Sequence, residues 1–168
     1  LDLSKIEAGT LEFIYSDIDL NNLFTTHSGR WSVKAISSSG LFAFIWAVCV
    51  VNSDRNRLLQ VIHNFVNNAI KFTPQGHIHI GYKLNPSGEL YFYVEDTGYG
   101  IQAEKVNEVF ERFVKLNSFI QGTGLGLSIS KTIVSHLGGN IGVFSQEGEG
   151  STFWFTLPAK SIVSMSEK

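Results

Sequence analysis

Hydrophobic positions along this chain follow two spacings, and each spacing predicts a different element. Between Arg57 and Pro74, the residues Leu58, Ile62, Phe65, Val66 and Ala69 recur every three or four positions, which predicts a helix with one buried stripe. Ser53 is its expected N-cap and Thr73-Pro74 its end. Leu125, Ile129, Ile133 and Leu137 predict a second such helix that stops at Gly138-Gly139. Shorter helices are expected over Leu1–Ala8, stopping at Gly9, over Asp19–Thr26 with Leu20, Leu23 and Phe24 inward, and over Gln102–Phe110. Alternation predicts strands at Thr10–Tyr15, Gly76–Leu84, Glu89–Val94, Asn140–Gln146 and Ser151–Leu157. The second and third join at Asn85-Pro-Ser-Gly88, and the last two form a hairpin. Residues 27–51 fit neither spacing: a Ser/Gly-rich stretch to Gly40 precedes Leu41–Val51, which is apolar throughout.

Composition narrows the class. At 168 residues and 43% hydrophobic content, the chain suits one domain with a substantial core. A net charge of −2 with no basic run argues against a nucleic-acid surface. Cys49 is the sole cysteine and lies in the apolar run, so the chain builds no disulfide framework or cysteine metal site, and a reducing compartment fits. No secretory leader is read in the segment and its apolar runs are too short to span a bilayer, so a cytoplasmic domain is expected, with any membrane anchor of the parent protein elsewhere.

The chemistry concentrates on the central helix. Asn64 and Asn68 stand one turn apart with Lys71 three residues on, so two carboxamides and an ammonium share a surface. An Asn oxygen is a hard, neutral ligand suited to Mg²⁺, and a lysine neutralises phosphate. An amphipathic helix with Asn on its wet face gives the same pattern. Further on, Asp96-Thr-Gly-Tyr-Gly-Ile101 leaves a strand into a two-glycine turn, where an acid can accept a hydrogen bond from a planar ligand. Gly122-Thr-Gly-Leu-Gly-Leu-Ser-Ile129 opens a helix, where amides can converge on an anion; simple chain reversal is the plain alternative. There is no Gly-x4-Gly-Lys-Ser/Thr, and Gly122–Gly126 is not Gly-x-Gly-x-x-Gly after a strand, so P-loop and Rossmann readings drop out. His77 and His79 share a strand face without a third ligand nearby, and solvated positions suit them better than a metal site.

The order of these motifs resembles the catalytic, ATP-binding domain of sensor histidine kinases, in the superfamily of Hsp90, type II topoisomerases and MutL. Asn64–Thr73 matches the N box, Asp96–Ile101 the G1 box, Phe110–Phe113 the F box, Gly122–Leu127 the G2 box, and Gly148–Phe153 the last glycine motif. The resemblance covers residues 1–26 and 50–158. It implies a two-layer α/β sandwich of the Bergerat type, a mixed, mainly antiparallel sheet covered by three helices. It implies ATP and Mg²⁺ as cofactors, with Asn64 and Asn68 on metal and phosphates and Asn68 the principal metal ligand. Lys71 and Lys115 would meet phosphate, Lys115 standing where relatives often carry a lid arginine; Phe72 would lie against adenine, where relatives often carry tyrosine. Asp96 would accept from the adenine amino group, with Ser151 or Thr152 helping through water. Gly98, Gly100, Ile101, Gly122, Thr123, Gly124, Leu125, Gly126 and Leu127 complete the implied ATP-binding set, and Glu111–Gln121 is the implied lid.

On this resemblance residues 1–9 are the end of a dimerisation-hairpin helix, 10–158 the catalytic domain, and 159–168 a polar tail or linker. The implied activity is protein-histidine kinase, presenting the γ-phosphate to a phosphoacceptor histidine in a domain absent from this chain; His63 is not that residue. The implied partners are that histidine-containing dimerisation domain and a downstream response-regulator receiver, in two-component signalling. The alternative is an ATP-binding regulatory or interaction module that transfers nothing. Relatives place charged, alternating sequence where this chain has 27–51. An apolar strand wants burial on both faces, so residues 41–51 are expected either to meet another copy of the chain or to reflect a local shift of reading frame.

Overall fold

The computed structural model describes residues 2–27, 47–115 and 122–167. In chain order they form α1 (Asp2–Glu7), β1 (Ser16–Asp19), α2 (Leu20–His27), β2 (Ala47–Ser53), α3 (Arg55–Phe72), β3 (Ile78–Leu84), β4 (Leu90–Asp96), α4 (Ala103–Val106), α5 (Gly126–His136), β5 (Ile141–Gln146), β6 (Gly150–Leu157), a 3₁₀ turn (Ala159–Ser161) and β7 (Ile162–Glu167). The expected α/β sandwich is present, with one difference in the sheet. Every strand pair among the described residues is antiparallel, in a four-stranded sheet ordered β3-β4-β6-β5 and a three-stranded one ordered β1-β2-β7.

Helix α3 lies over the larger sheet because Leu58, Val61, Ile62, Phe65, Val66 and Ala69 form one apolar face. Phe65 meets Phe153 and Phe155 at ring distances of 5.5 and 6.0 Å, and Phe155 stacks on Phe92 at 4.7 Å. Burying a side chain of this kind is worth about 1.5–3 kcal/mol. Helix α2 turns Leu20 and Leu23 into the same core, with Phe24 against Tyr82 and Phe92. Helix α5 buries Leu127, Ser130, Ile133 and Val134. Its inward face is therefore set slightly off the expected stripe: Leu125 precedes the helix, and Ile129 is only partly buried.

Four expectations are corrected. Thr10–Tyr15 is not a strand; the Ile14 N–H is taken at 2.7 Å by an Asp54 carboxylate oxygen instead of a ladder partner. The N-cap of α3 is Asp54 and not Ser53, because Ser53 ends β2 while the Asp54 carboxylate accepts from the Arg57 N–H at 3.0 Å. The helix expected over Gln102–Phe110 is the short α4, after which Val109 sinks into the core and Phe110 packs edge-on to Phe153. The polar tail is not a linker throughout, since β7 pairs with β2, placing Met165 opposite Cys49. β7 also makes β2 a central strand with both backbone edges paired; on one of its faces Cys49 and Val51 are buried, while Val50 on the other is only partly so. Residues 41–46 of the apolar run, and 116–121 of the lid, lie outside the described residues.

Candidate functional site

With its apolar face committed to the sheet, α3 presents Asn64, Asn67, Asn68 and Lys71 outward. They line a cavity of about 200 Å³ whose other walls are Phe72, Val109, Val114 and Lys115 on one side and Gly122, Thr123, Gly124, Gly126 and Leu127 on the other. The glycine segment is anchored to the chain after α4. The Phe113 N–H donates to the Gly124 carbonyl at 2.9 Å, and a Cβ on Gly124, at φ 69°, would strike the Phe113 backbone at 2.8 Å. Phe113 itself holds φ 63°, the sole non-glycine residue with positive φ among those described.

Asn64 is held in one orientation. Its Nδ2 donates to the Gly126 carbonyl and to Ser130 Oγ, both at 3.0 Å, and a carbonyl can only accept, so the amide nitrogen must face α5. The nitrogen is thereby committed to α5, leaving Oδ1 to accept from or coordinate something else. The first turn of α5 has no side-chain cap, so its amides are open to an anion. Carboxamide oxygens, two ammonium groups and a helix N-terminus around one cavity make a donor set that fits a hydrated Mg²⁺ with phosphates.

Asp96, at the end of β4, lies outside that lining, as do Gly98, Gly100, Ile101, Leu125, Ser151 and Thr152. It is buried, and Oδ1 accepts from the Gly98 N–H at 2.9 Å. Burial pushes its carboxyl above the ordinary value, Glu95 adding to the rise, while the Gly98 N–H, the Thr73 hydroxyl and the Ser151 N–H pull it down. The Thr73 hydroxyl is near enough to favour the charged carboxylate, yet Oγ1 is buried and finds no hydrogen-bond partner of good geometry among the described residues. A buried carboxylate beside an orphaned hydroxyl suits a ligand that donates to one and meets the other.

Three sequence expectations are revised here. A Cβ on Gly98 would collide with the Phe72 carbonyl and one on Gly100 with the Gln146 carbonyl, so these glycines serve the packing of their own loop on α3 and on the β5–β6 turn. Ile101 is a core residue whose N–H donates to Ser145 Oγ at 2.8 Å. Ser151 is the strand partner of Asp96, whereas Thr152 pairs with Glu95 on the opposite face of the sheet, so of the two only Ser151 stands on the side of Asp96. Sequence reading also missed Asn67, Val109, Val114 and Ser130. Only Ser130 carries a signal, a polar residue within the apolar stripe of α5. His77 and His79 do share a face, their rings 6.3 Å apart. No group of three or more His, Cys, Asp or Glu among the described residues is placed to hold a metal. No described helix is long and apolar enough to cross a membrane.

Residues 53–161 match the family described as histidine kinase-, DNA gyrase B-, and HSP90-like ATPase. The chain is 41% identical over 170 residues to hybrid signal transduction histidine kinase B of Dictyostelium discoideum, covering 94% of this chain and 9% of that protein. It is 35% identical over 173 residues to the autoinducer 2 sensor kinase/phosphatase LuxQ of Vibrio vulnificus, covering 95% of this chain and 20% of the relative. The chain thus spans a fifth or less of the length of these relatives. Among solved structures, full-length ShkA in complex with AMPPNP superposes with a TM-score of 0.75 at 26% identity, over 99% of this chain and 35% of that one.

Proposed function

On the premise that this chain belongs to the histidine kinase-, DNA gyrase B- and HSP90-like ATPases, we propose that it is the ATP-binding catalytic domain of a sensor histidine kinase, working in the cytoplasm on a phosphoacceptor histidine in another domain of the same protein. The observation that carries this reading is the convergence of Asn64, Asn68, Lys71, Lys115 and the uncapped start of α5 on one cavity.

Phosphoryl transfer asks a protein chiefly to position the donor and spread charge. Asp96 and Thr73 orient the adenine, and Phe72, which lines the cavity and whose carbonyl receives the Tyr99 N–H at 3.0 Å, ties that end of the site to the phosphate end. Lys71 and Lys115 face the phosphates, and the α5 amides stabilise their negative charge. Mg²⁺, when bound, screens the phosphates and fixes their geometry; Asn68 and Asn64 are the residues that would hold it. The γ-phosphate passes to the acceptor imidazole as its bond to ADP breaks, and the phosphate then goes to a receiver domain.

Titration of a fluorescent ATP analogue against wild type and Asn68→Ala, with and without Mg²⁺, tests the reading. Wild type should bind more tightly with the metal, and Asn68→Ala should lose about tenfold or more of that gain. Equal, metal-independent binding by both would overturn it. If ATP binds but its γ-phosphoryl group, followed by a phosphorus label at that position, never reaches an added histidine-bearing hairpin from the parent protein, the domain is reduced to a binding module.

A further inference from the structure

We infer that Ser130, on the buried face of α5, is a positioning residue that holds the Asn64 carboxamide, and the Gly126 carbonyl that orients it, with Oδ1 toward the cation and phosphates. This rests on the reading just proposed. Ser130 is 0% exposed and contributes nothing to the cavity wall, yet its hydroxyl closes a three-membered network. Ser130 Oγ donates to the Gly126 carbonyl at 2.9 Å, and Asn64 Nδ2 donates to both that carbonyl and Ser130 Oγ at 3.0 Å.

The hydroxyl therefore does two things. By accepting from the Asn64 amide nitrogen beside the Gly126 carbonyl, it restrains the carboxamide about its terminal torsion, which is otherwise broad and nearly two-fold. By donating to Gly126, it holds the carbonyl that accepts the first N–H. The same bonds tie α3, which bears the Asn residues, to the first turn of α5, whose amides face the anion. Removing the hydroxyl leaves the Gly126 carbonyl as the one anchor: nitrogen is still favoured toward α5, but the amide is held by one bond instead of two, and Oδ1 is presented to the cation less firmly. An outer-shell partner of this kind typically controls metal affinity by about 10–100-fold.

The test compares a non-hydrolysable ATP analogue binding to wild type, Ser130→Ala and Ser130→Thr, each with Mg²⁺ and with EDTA, alongside thermal melts. Ser130→Ala should lose about tenfold in affinity with Mg²⁺ and keep its EDTA affinity, and Ser130→Thr, which keeps the hydroxyl, should recover the difference. Equal loss in both conditions marks Ser130 as ordinary core and overturns the assignment. An unchanged Mg²⁺ response in Ser130→Ala overturns it while leaving the proposed function standing. A wild-type chain that binds no nucleotide removes the proposed function, and this assignment with it. A measurement on wild type alone guards against a misfolded variant: the Asn64 side-chain NH₂ protons should be protected from exchange with water, and fast exchange would overturn the assignment.

Discussion

Asp96 meets two opposed demands at the scale of one residue, because a ligand acceptor should be charged and a buried group should not. Burial raises its carboxyl pKa in the fold, so its contribution to stability is most favourable below the ordinary carboxylate pKa and is lost as pH rises through the raised value. Asp96→Asn removes that loss. Melts of the nucleotide-free chain over roughly pH 4 to 8 should show the variant gaining on wild type as pH rises. Its affinity for an adenine nucleotide should meanwhile fall by about 1–3 kcal/mol, since the remaining amide nitrogen faces a donor. A pH-independent difference between the two melting curves would remove the stability half of this account. Unchanged affinity would remove the other.

Among elements, the entry into α3 depends on one side chain. Asp54 is buried, with one carboxylate oxygen accepting from the Arg57 N–H and the other from the Ile14 N–H. It thus caps the helix that carries the Asn residues and secures the segment arriving from α1. Next to that bond Phe13 stacks on His136 at 3.8 Å, and the Arg57 guanidinium lies over the Phe13 ring, 5.9 Å from its centroid. Asp54→Ala leaves two N–H groups without their acceptor and should cost about 1–3 kcal/mol in urea unfolding. Asp54→Asn retains one good acceptor and should cost less. If both variants unfold at the wild-type midpoint, the cap is not what starts the helix. A strand reading of Thr10–Tyr15 could not anticipate this, because alternation in sequence does not reveal that a carboxylate forty residues away will take the Ile14 amide.

For the whole molecule, the small sheet depends on its last strand. β7 covers an edge of β2 and lies opposite Cys49, whose thiol is pushed up to about 11 by burial, with Asp19 adding to the rise. Such a thiol is inert near neutral pH. Deleting 159–168 bares the N–H and C=O groups along the β2 edge beside an apolar strand, so the shortened chain should associate with itself. It should also react with a thiol reagent much faster than the full chain, as followed by absorbance and light scattering. A monomer with unreactive Cys49 would show that β7 is dispensable to the sheet.

Local patterns were enough wherever one element's own residues decide the outcome. The stripe of α3, the stop of α5 at Gly138 and the β3–β4 and β5–β6 hairpins are such cases, because period, glycine conformation and turn chemistry act within a few residues. The one-turn spacing of Asn64 and Asn68 likewise put both on one surface before any fold was known. Tertiary structure alone decided what needs a distant partner. It set the orientation of Asn64 through Ser130 and Gly126, the choice of Ser151 over Thr152 beside Asp96, and the packing role of Gly98 and Gly100. It also decided the pairing of β7 with β2. Each of these joins groups far apart in the chain by hydrogen bonds or steric contact, and such bonds leave no period in the sequence to read.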